Sequence, residues 1–271
     1  MKKALICFLK YPEPGRVKTR LAPDLGKEGA ADLYSSLAER VITEVYPLNN
    51  DYELLLFVDP HDIMDRYHAW LGESWKMRFQ KGMDLGERMQ HAMDSLLEEG
   101  YEKVAIIGSD CIGMDEDFID GVFSDLDENN FVIGPSSDGG YYLLALKESC
   151  PWLFENVKWS TDEVLDVTLD RIEARNLTVK ELDEKIDVDN LKDLIEFRKG
   201  LPPEHFLARK IDEIIMVRLA SQGAPKTQEG YAIQPIDGIE LGEQVEALAE
   251  SEMSMMSIVP KVATDDVPEG D

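Results

Sequence analysis

Short, almost continuously apolar runs recur along the first 200 residues and alternate with stretches whose apolar residues fall at helical spacing. The runs at 3–9, 52–58, 103–108, 130–134 and 141–146 read as strands, with 76–80 and 177–182 as weaker ones. A run that is apolar at every position suits a strand buried on both faces, as in parallel sheets. Residues 28–46, 85–99, 115–126 and 161–174 carry the helical pattern. Met89, Met93, Leu96 and Leu97 share one face of the second, and Phe118, Val122 and Leu126 one face of the third. Strand–helix alternation across short linkers predicts an open, mostly parallel, doubly wound α/β sheet over residues 1–200.

Beyond residue 200 the pattern changes. Residues 204–220 read as an amphipathic helix bearing Ile211, Ile214, Ile215 and Leu219, which makes 201–221 a C-terminal helical element. From Gln222 the alternation stops, and Ala224-Pro225, Gln234-Pro235, Val259-Pro260 and Val267-Pro268 punctuate a polar stretch. Residues 222–271 are expected to form an acidic, partly disordered extension. Within it, 242–252 has the pattern of a transient helix, and Met253-Ser254-Met255-Met256 offers a docking cluster for a protein partner.

Of the 271 residues, 44% are hydrophobic, enough for a sizeable core. The formal net charge is −27, which disfavours nucleic acid and anionic membrane surfaces as partners. The charge is unevenly spread. Residues 1–20 carry a net +5, whereas 222–271 carry −9. Three cysteines without a C-x-x-C spacing exclude a disulfide scaffold or a cysteine-rich zinc site. The apolar runs are too short for a membrane span or a cleavable signal, so a cytoplasmic protein is expected.

Candidate chemistry begins after the first strand, at Lys10-Tyr11-Pro12-Glu13-Pro14-Gly15-Arg16-Val17-Lys18-Thr19-Arg20-Leu21. Ligands bind open α/β sheets in the crevice beyond the carboxyl ends of the strands, where this loop falls. Gly15 permits close backbone approach, and Arg16, Lys18 and Arg20 supply charge for phosphate oxygens. The pattern is not a P-loop. Asp110, in Gly108-Ser109-Asp110-Cys111, follows a central strand and suits a Mg²⁺ or Mn²⁺ ligand, while Asp115 better fits the helix cap nearby. Cys111 reads as structural. In Asp187-Val188-Asp189-Asn190 the two acids share a side of an extended backbone, as a second metal anchor needs. Asp189 or Asn190 equally suits the cap of a helix over 191–198.

Asp138-Gly139-Gly140 is a strong turn signal, and Asp138 serves either that turn or substrate hydroxyls. Of Tyr141 and Tyr142, on opposite sides of a strand, one belongs to the core and the other to a pocket. Asp84 and Glu87 have capping-box spacing, which leaves Gln80, Gly82 and Arg88 for a nucleotide. Ser160 and Glu163 have the same spacing, and Trp159 beside them either stacks on substrate or packs in its loop. The histidines have no metal-ligand spacing, and no G-x-S-x-G elbow is present.

The motifs Pro-Glu-Pro-Gly-Arg-Val-Lys-Thr-Arg-Leu-Ala-Pro, Asp-Leu-Gly-Glu-Arg-Met, Gly-Ser-Asp-Cys, Asp-Gly-Gly-Tyr-Tyr and Trp-Ser-Thr occur in this order over residues 3–200. Together they resemble a family of uncharacterised GT-A-like transferases, some encoded beside radical-SAM or selenium-related proteins. That family is similar in turn to 2-phospholactate guanylyltransferase and to nucleotide-sugar glycosyltransferases. The resemblance implies a nucleotide-diphospho-sugar transferase fold and a divalent metal. Ile112 stands where the family usually has proline, and Asn190 where it often has threonine.

The leading expectation is transfer from a nucleotide donor, a nucleotide-diphosphate sugar, to a small acceptor. In that reading Asp110 with Asp187 or Asp189 holds Mg²⁺ or Mn²⁺. Pro14, Gly15, Arg16, Lys18, Thr19 and Arg20 bind phosphates with help from Gln80, Gly82 and Arg88. Lys18, Arg20 and Asp138 act in catalysis, and Asp138, Gly139, Gly140, Tyr141 and Trp159 shape the acceptor side. One alternative is nucleotidyl transfer with release of pyrophosphate. Another is a non-catalytic nucleotide sensor with a partner-binding tail.

Overall fold

Ala4 and Ile6 pack into one apolar layer and Leu5, Cys7 and Leu9 into the other, which is why the first strand is apolar throughout. Leu55 and Phe57 face the first layer, and Leu54, Leu56 and Val58 the second. The computed structural model describes residues 1–60, 62–185, 188–221, 226–227 and 230–231. Strands β1 (Lys3–Lys10), β2 (Glu53–Asp59), β3 (Met77–Phe79), β4 (Lys103–Gly108), β5 (Phe131–Pro135), β6 (Tyr141–Leu146) and β7 (Val179–Glu181) form one sheet in the order β3-β2-β1-β4-β6-β5-β7. β6 runs antiparallel to β4 and β5, and every other pairing is parallel. Helices α1 (Ala22–Glu44), α2 (Met64–Leu71) and α4 (Glu116–Glu128) cover one face. Helices α3 (Leu85–Glu98), α5 (Pro151–Phe154) and α6 (Val164–Glu173) cover the other. The expected open, mostly parallel, doubly wound sheet is present.

Local signals set the helix ends. Asp84 accepts from the Glu87 amide at 2.9 Å, while the Glu87 carboxylate takes the Met83 amide rather than that of Asp84. Asp115 caps α4 through the Phe118 amide. Ser160 and Glu163 do not form a capping box: Ser160 has φ +65°, and α6 starts at Val164 without a side-chain cap. α1 begins before residue 28 because Pro23 opens a first turn, which Gly26 (φ +79°) then kinks.

α7 (Leu191–Gly200) and α8 (Phe206–Ser221) close the outer side of α1. Leu207, Ile211, Ile214 and Ile215 of α8 share a buried cluster with Leu25, Leu33 and Leu37 of α1 and Leu194 of α7. Ion pairs rim this seam: Arg198 grips Asp212 with two bonds of 2.9 and 2.7 Å, and Lys210 meets Asp32 at 2.8 Å. Within 222–271, the described residues form a short antiparallel pair, β8 (Lys226–Thr227) with β9 (Gly230–Tyr231). The expectations for 242–252 and 253–256 lie outside the described residues. Among the described residues no helix is long and apolar enough to cross a membrane.

Because α8 shares its apolar contacts with α1, Ile211→Ala is expected to destabilise the whole protein by about 2–5 kcal/mol. Urea unfolding followed by tryptophan fluorescence measures it. The exposed control Val217→Ala should stay within about 0.5 kcal/mol of the parent.

Candidate functional site

Between β1 and α1 the chain makes a tight excursion in which Val17 and Leu21 are buried anchors on either side of Lys18. Lys18 has φ +43°, a left-handed backbone that side-chain-bearing residues rarely adopt. Of the five non-glycine residues described with positive φ, Asn50, Asn156 and Asn176 belong to a type that tolerates it. The other two, Lys18 and Ser160, both border the region built up below.

The end of β4 is tied down from α1. The Tyr34 hydroxyl accepts from the Lys10 amide at 2.9 Å and shares a 2.8 Å hydrogen bond with the Ser109 hydroxyl. Asp110 follows directly at the carboxyl edge of the sheet. From the other side, Asn190 caps α7 through the Lys192 and Asp193 amides in a full capping box. That leaves the carboxylate of Asp189 free of the cap. The Lys18 ammonium donates to Asp110 Oδ2 at 2.9 Å and to Asp189 Oδ1 at 2.8 Å. Arg20 Nη1 reaches Asp189 Oδ2 at 3.4 Å. The Lys18 side chain is 3% exposed, whereas each carboxylate is 34% exposed. Burial by itself pulls an ammonium's pKa down, but Asp110 and Asp189 outweigh it and raise Lys18 above the ordinary lysine value. Lys18 is therefore charged at every physiological pH.

A cavity of about 380 Å³ opens beside Asp189 and Arg20, with Asp138, Tyr141, Trp159 and Thr161 in its wall. Asp138 Oδ1 accepts from the Ser136 hydroxyl at 2.6 Å and from the Gly140 amide at 3.0 Å, so it shapes its own turn. Gly139 (φ +86°) lies so close to the Asp162 backbone that there is no room for a Cβ, and its carbonyl accepts from the Leu165 amide. Tyr141 faces this cavity. Tyr142 is buried over Gly134, and its hydroxyl donates to the Asp183 carbonyl at 3.1 Å. Trp159 lies against the Gly86 backbone and stacks near Phe154, with ring centroids 6.4 Å apart. It thus packs in its loop and lines the cavity at once.

Other candidate residues stand apart from the cluster or are already engaged. Arg16 is exposed and paired with Glu13 at 3.2 Å, and Pro14 and Thr19 are exposed on the same loop. Gln80 donates to the Phe57 and Leu9 carbonyls, which fastens the β3–α3 loop to the ends of β1 and β2. Arg88 pairs with Asp59 at 2.9 Å and with the Gly82 carbonyl at 3.2 Å. Asp187 lies outside the described residues. Among the described residues no three His, Cys, Asp or Glu side chains converge on one point. Cys7, Cys111 and Cys150 are buried, and burial pushes the Cys150 thiol up to about 11, far from a nucleophile at neutral pH.

Sequence reasoning missed Tyr34 and Ser109, which position Asp110, and Ser136, which orients Asp138. An isolated tyrosine on the apolar face of α1 was the one available hint.

Residues 44–161 match the family described as "Uncharacterized protein conserved in bacteria (DUF2064)". No curated protein matches the chain. A crystal structure from Desulfovibrio desulfuricans G20, provisionally designated a nucleotide-diphospho-sugar transferase, is similar at a TM-score of 0.73 and 32% identity, covering 80% of this chain and 99% of that one. The 4-diphosphocytidyl-2C-methyl-D-erythritol synthase of Anaerococcus prevotii DSM 20548 is similar at a TM-score of 0.45 and 14% identity, over 72% of this chain and 95% of that one. Rv0371c of Mycobacterium tuberculosis H37Rv, in complex with manganese, is similar at 0.45 and 10%, over 74% and 100%.

The Gly86–Trp159 contact generates a test of the cavity wall. Gly86→Ala places a methyl inside the indole and is expected to cost about 1–3 kcal/mol and to shift the tryptophan emission. Gly121→Ala, in α4 with open space around it, is expected to stabilise by about 0.5–1 kcal/mol.

Proposed function

The chain belongs to the DUF2064 family of bacterial proteins, and we propose that it is a nucleotide-dependent transferase that moves a glycosyl group from a nucleotide-diphosphate sugar to a small acceptor. One observation carries the reading. A buried lysine and a neighbouring arginine meet two carboxylates at the carboxyl edge of the sheet, beside a cavity walled by hydroxyls, carboxylates and aromatic faces. Hydroxyl and carboxylate groups set among aromatic faces suit a sugar. The adjoining cations suit a diphosphate.

Asp110 and Asp189 fit a hard divalent cation: both offer carboxylate oxygens, and both converge on one point from separate segments. Two protein carboxylates completed by substrate phosphates is a common Mg²⁺ arrangement. When bound there, Mg²⁺ or Mn²⁺ supplies positive charge to the diphosphate. Lys18 and Arg20 bind phosphate oxygens and stabilise charge that builds on the departing diphosphate, an electrostatic role that needs no protein nucleophile. Ser136 and the Gly140 amide hold Asp138 so that its carboxylate edges the acceptor side of the cavity. Trp159 and Tyr141 supply flat apolar surface there.

Thermal-shift measurement with nucleotide sugars and nucleoside triphosphates, with and without Mn²⁺, tests the proposal. A ligand at a hundredfold excess over Kd stabilises by about 2.7 kcal/mol. Stabilisation by a nucleotide sugar, lost in Asp110→Asn, with nucleoside diphosphate as the product on turnover, is expected. Pyrophosphate released from a triphosphate and a phosphorylated acceptor would move the assignment to nucleotidyl transfer. No shift with any nucleotide would remove it.

A further inference from the structure

The Lys18 ammonium stands between the two carboxylates that a divalent ion bridging Asp110 and Asp189 would use. It lies 2.9 and 2.8 Å from one oxygen of each carboxylate, with its side chain 3% exposed. A magnesium ion needs carboxylate oxygens at about 2.0–2.1 Å, so the two oxygens must draw closer together than an ammonium between them allows. A second cation wedged beside the ammonium would meet strong repulsion at that spacing. The two occupants therefore exclude each other.

The surroundings restrict what can move. Val17 and Leu21 are buried on either side, and the Lys18 carbonyl accepts from the Leu21 amide at 2.9 Å and the Ala22 amide at 3.2 Å. The backbone of Lys18 is thus pinned in its left-handed conformation, and its freedom lies in the four-carbon stem. A lysine suits that task, since its point charge rides on a flexible chain whereas a guanidinium is a rigid fork. Arg20, 68% exposed and held by one 3.4 Å contact, does not fill the position between the acids.

We infer that Lys18 is a displaceable counter-ion: without donor its ammonium closes the Asp110–Asp189 pair to divalent cations, and an incoming diphosphate draws it onto phosphate oxygens and opens the pair to metal. Metal and nucleotide binding are then coupled, and free metal alone binds poorly. The inference rests on the metal-assisted reading above.

Mn²⁺ titration of the full-length protein without nucleotide, followed by the electron paramagnetic resonance of free Mn²⁺, tests it. Lys18→Met is expected to bind Mn²⁺ at least tenfold more tightly than the parent, and Lys18→Arg no more tightly. Lys18→Gln, which keeps a donor but no charge, repeats the test if the methionine variant folds poorly by circular dichroism. Asp189→Asn on the Lys18→Met background should abolish the gain. Equal or weaker Mn²⁺ binding by the uncharged variants, with binding by the parent still lost in Asp110→Asn, overturns the counter-ion role and leaves the metal site standing. Absence of Mn²⁺ binding in every variant, with nucleotide present or absent, overturns both.

Discussion

A sheet whose strands are apolar on both faces leaves charge few places to go. Layers of α1, α2 and α4 on one side and α3, α5 and α6 on the other bury both faces of the central strands, so ionisable groups are driven to the strand ends and helix exteriors. At the carboxyl edge this gathers the end of β1, the end of β4 and the segment before α7. There a lysine pairs with acids 92 and 171 residues away. Such a site is strongly coupled. Removing the ammonium leaves two carboxylates facing each other at a partly dried edge, and removing one carboxylate leaves a buried cation with half its counter-charge.

The charge of the whole molecule gives that edge its meaning. The whole chain carries −27, yet residues 1–20 are net positive and run into the one described place where a buried lysine faces two carboxylates at a strand edge. A short basic segment set against an acidic remainder makes a local field of opposite sign to that of the whole chain.

Several motif glycines turn out to be packing requirements. Gly86 admits the Trp159 indole, Gly139 admits the Asp162 backbone and Gly134 admits the Tyr142 ring. Gly86 and Gly139 each bring a distant motif against the segment around Trp159 and Asp162, whereas Gly134 and Tyr142 pack within one hairpin. Asp138 fits this pattern too: its carboxylate is spent partly on its own turn, which presents a rigid wall to the cavity.

Strand positions, the buried character of the sheet, the Asp84 and Asp115 caps and the basic loop were legible from local pattern, because periodicity and capping act over a few residues. The short helices α2 and α5 were not, since eight and four residues are too few to establish a period. Nor was the antiparallel entry of β6 between β4 and β5, which depends on strand order. The spacing of Ser160 and Glu163 suggested a capping box that the left-handed Ser160 does not make. By itself, then, the sequence determined the strands, the longer helices and which residue types crowd the edge. Only the tertiary structure decided that Asn190 takes the cap and releases Asp189, and that Lys18 lies between two acids. Those outcomes hang on strand order and on one left-handed dihedral, and neither leaves a periodic trace in the chain.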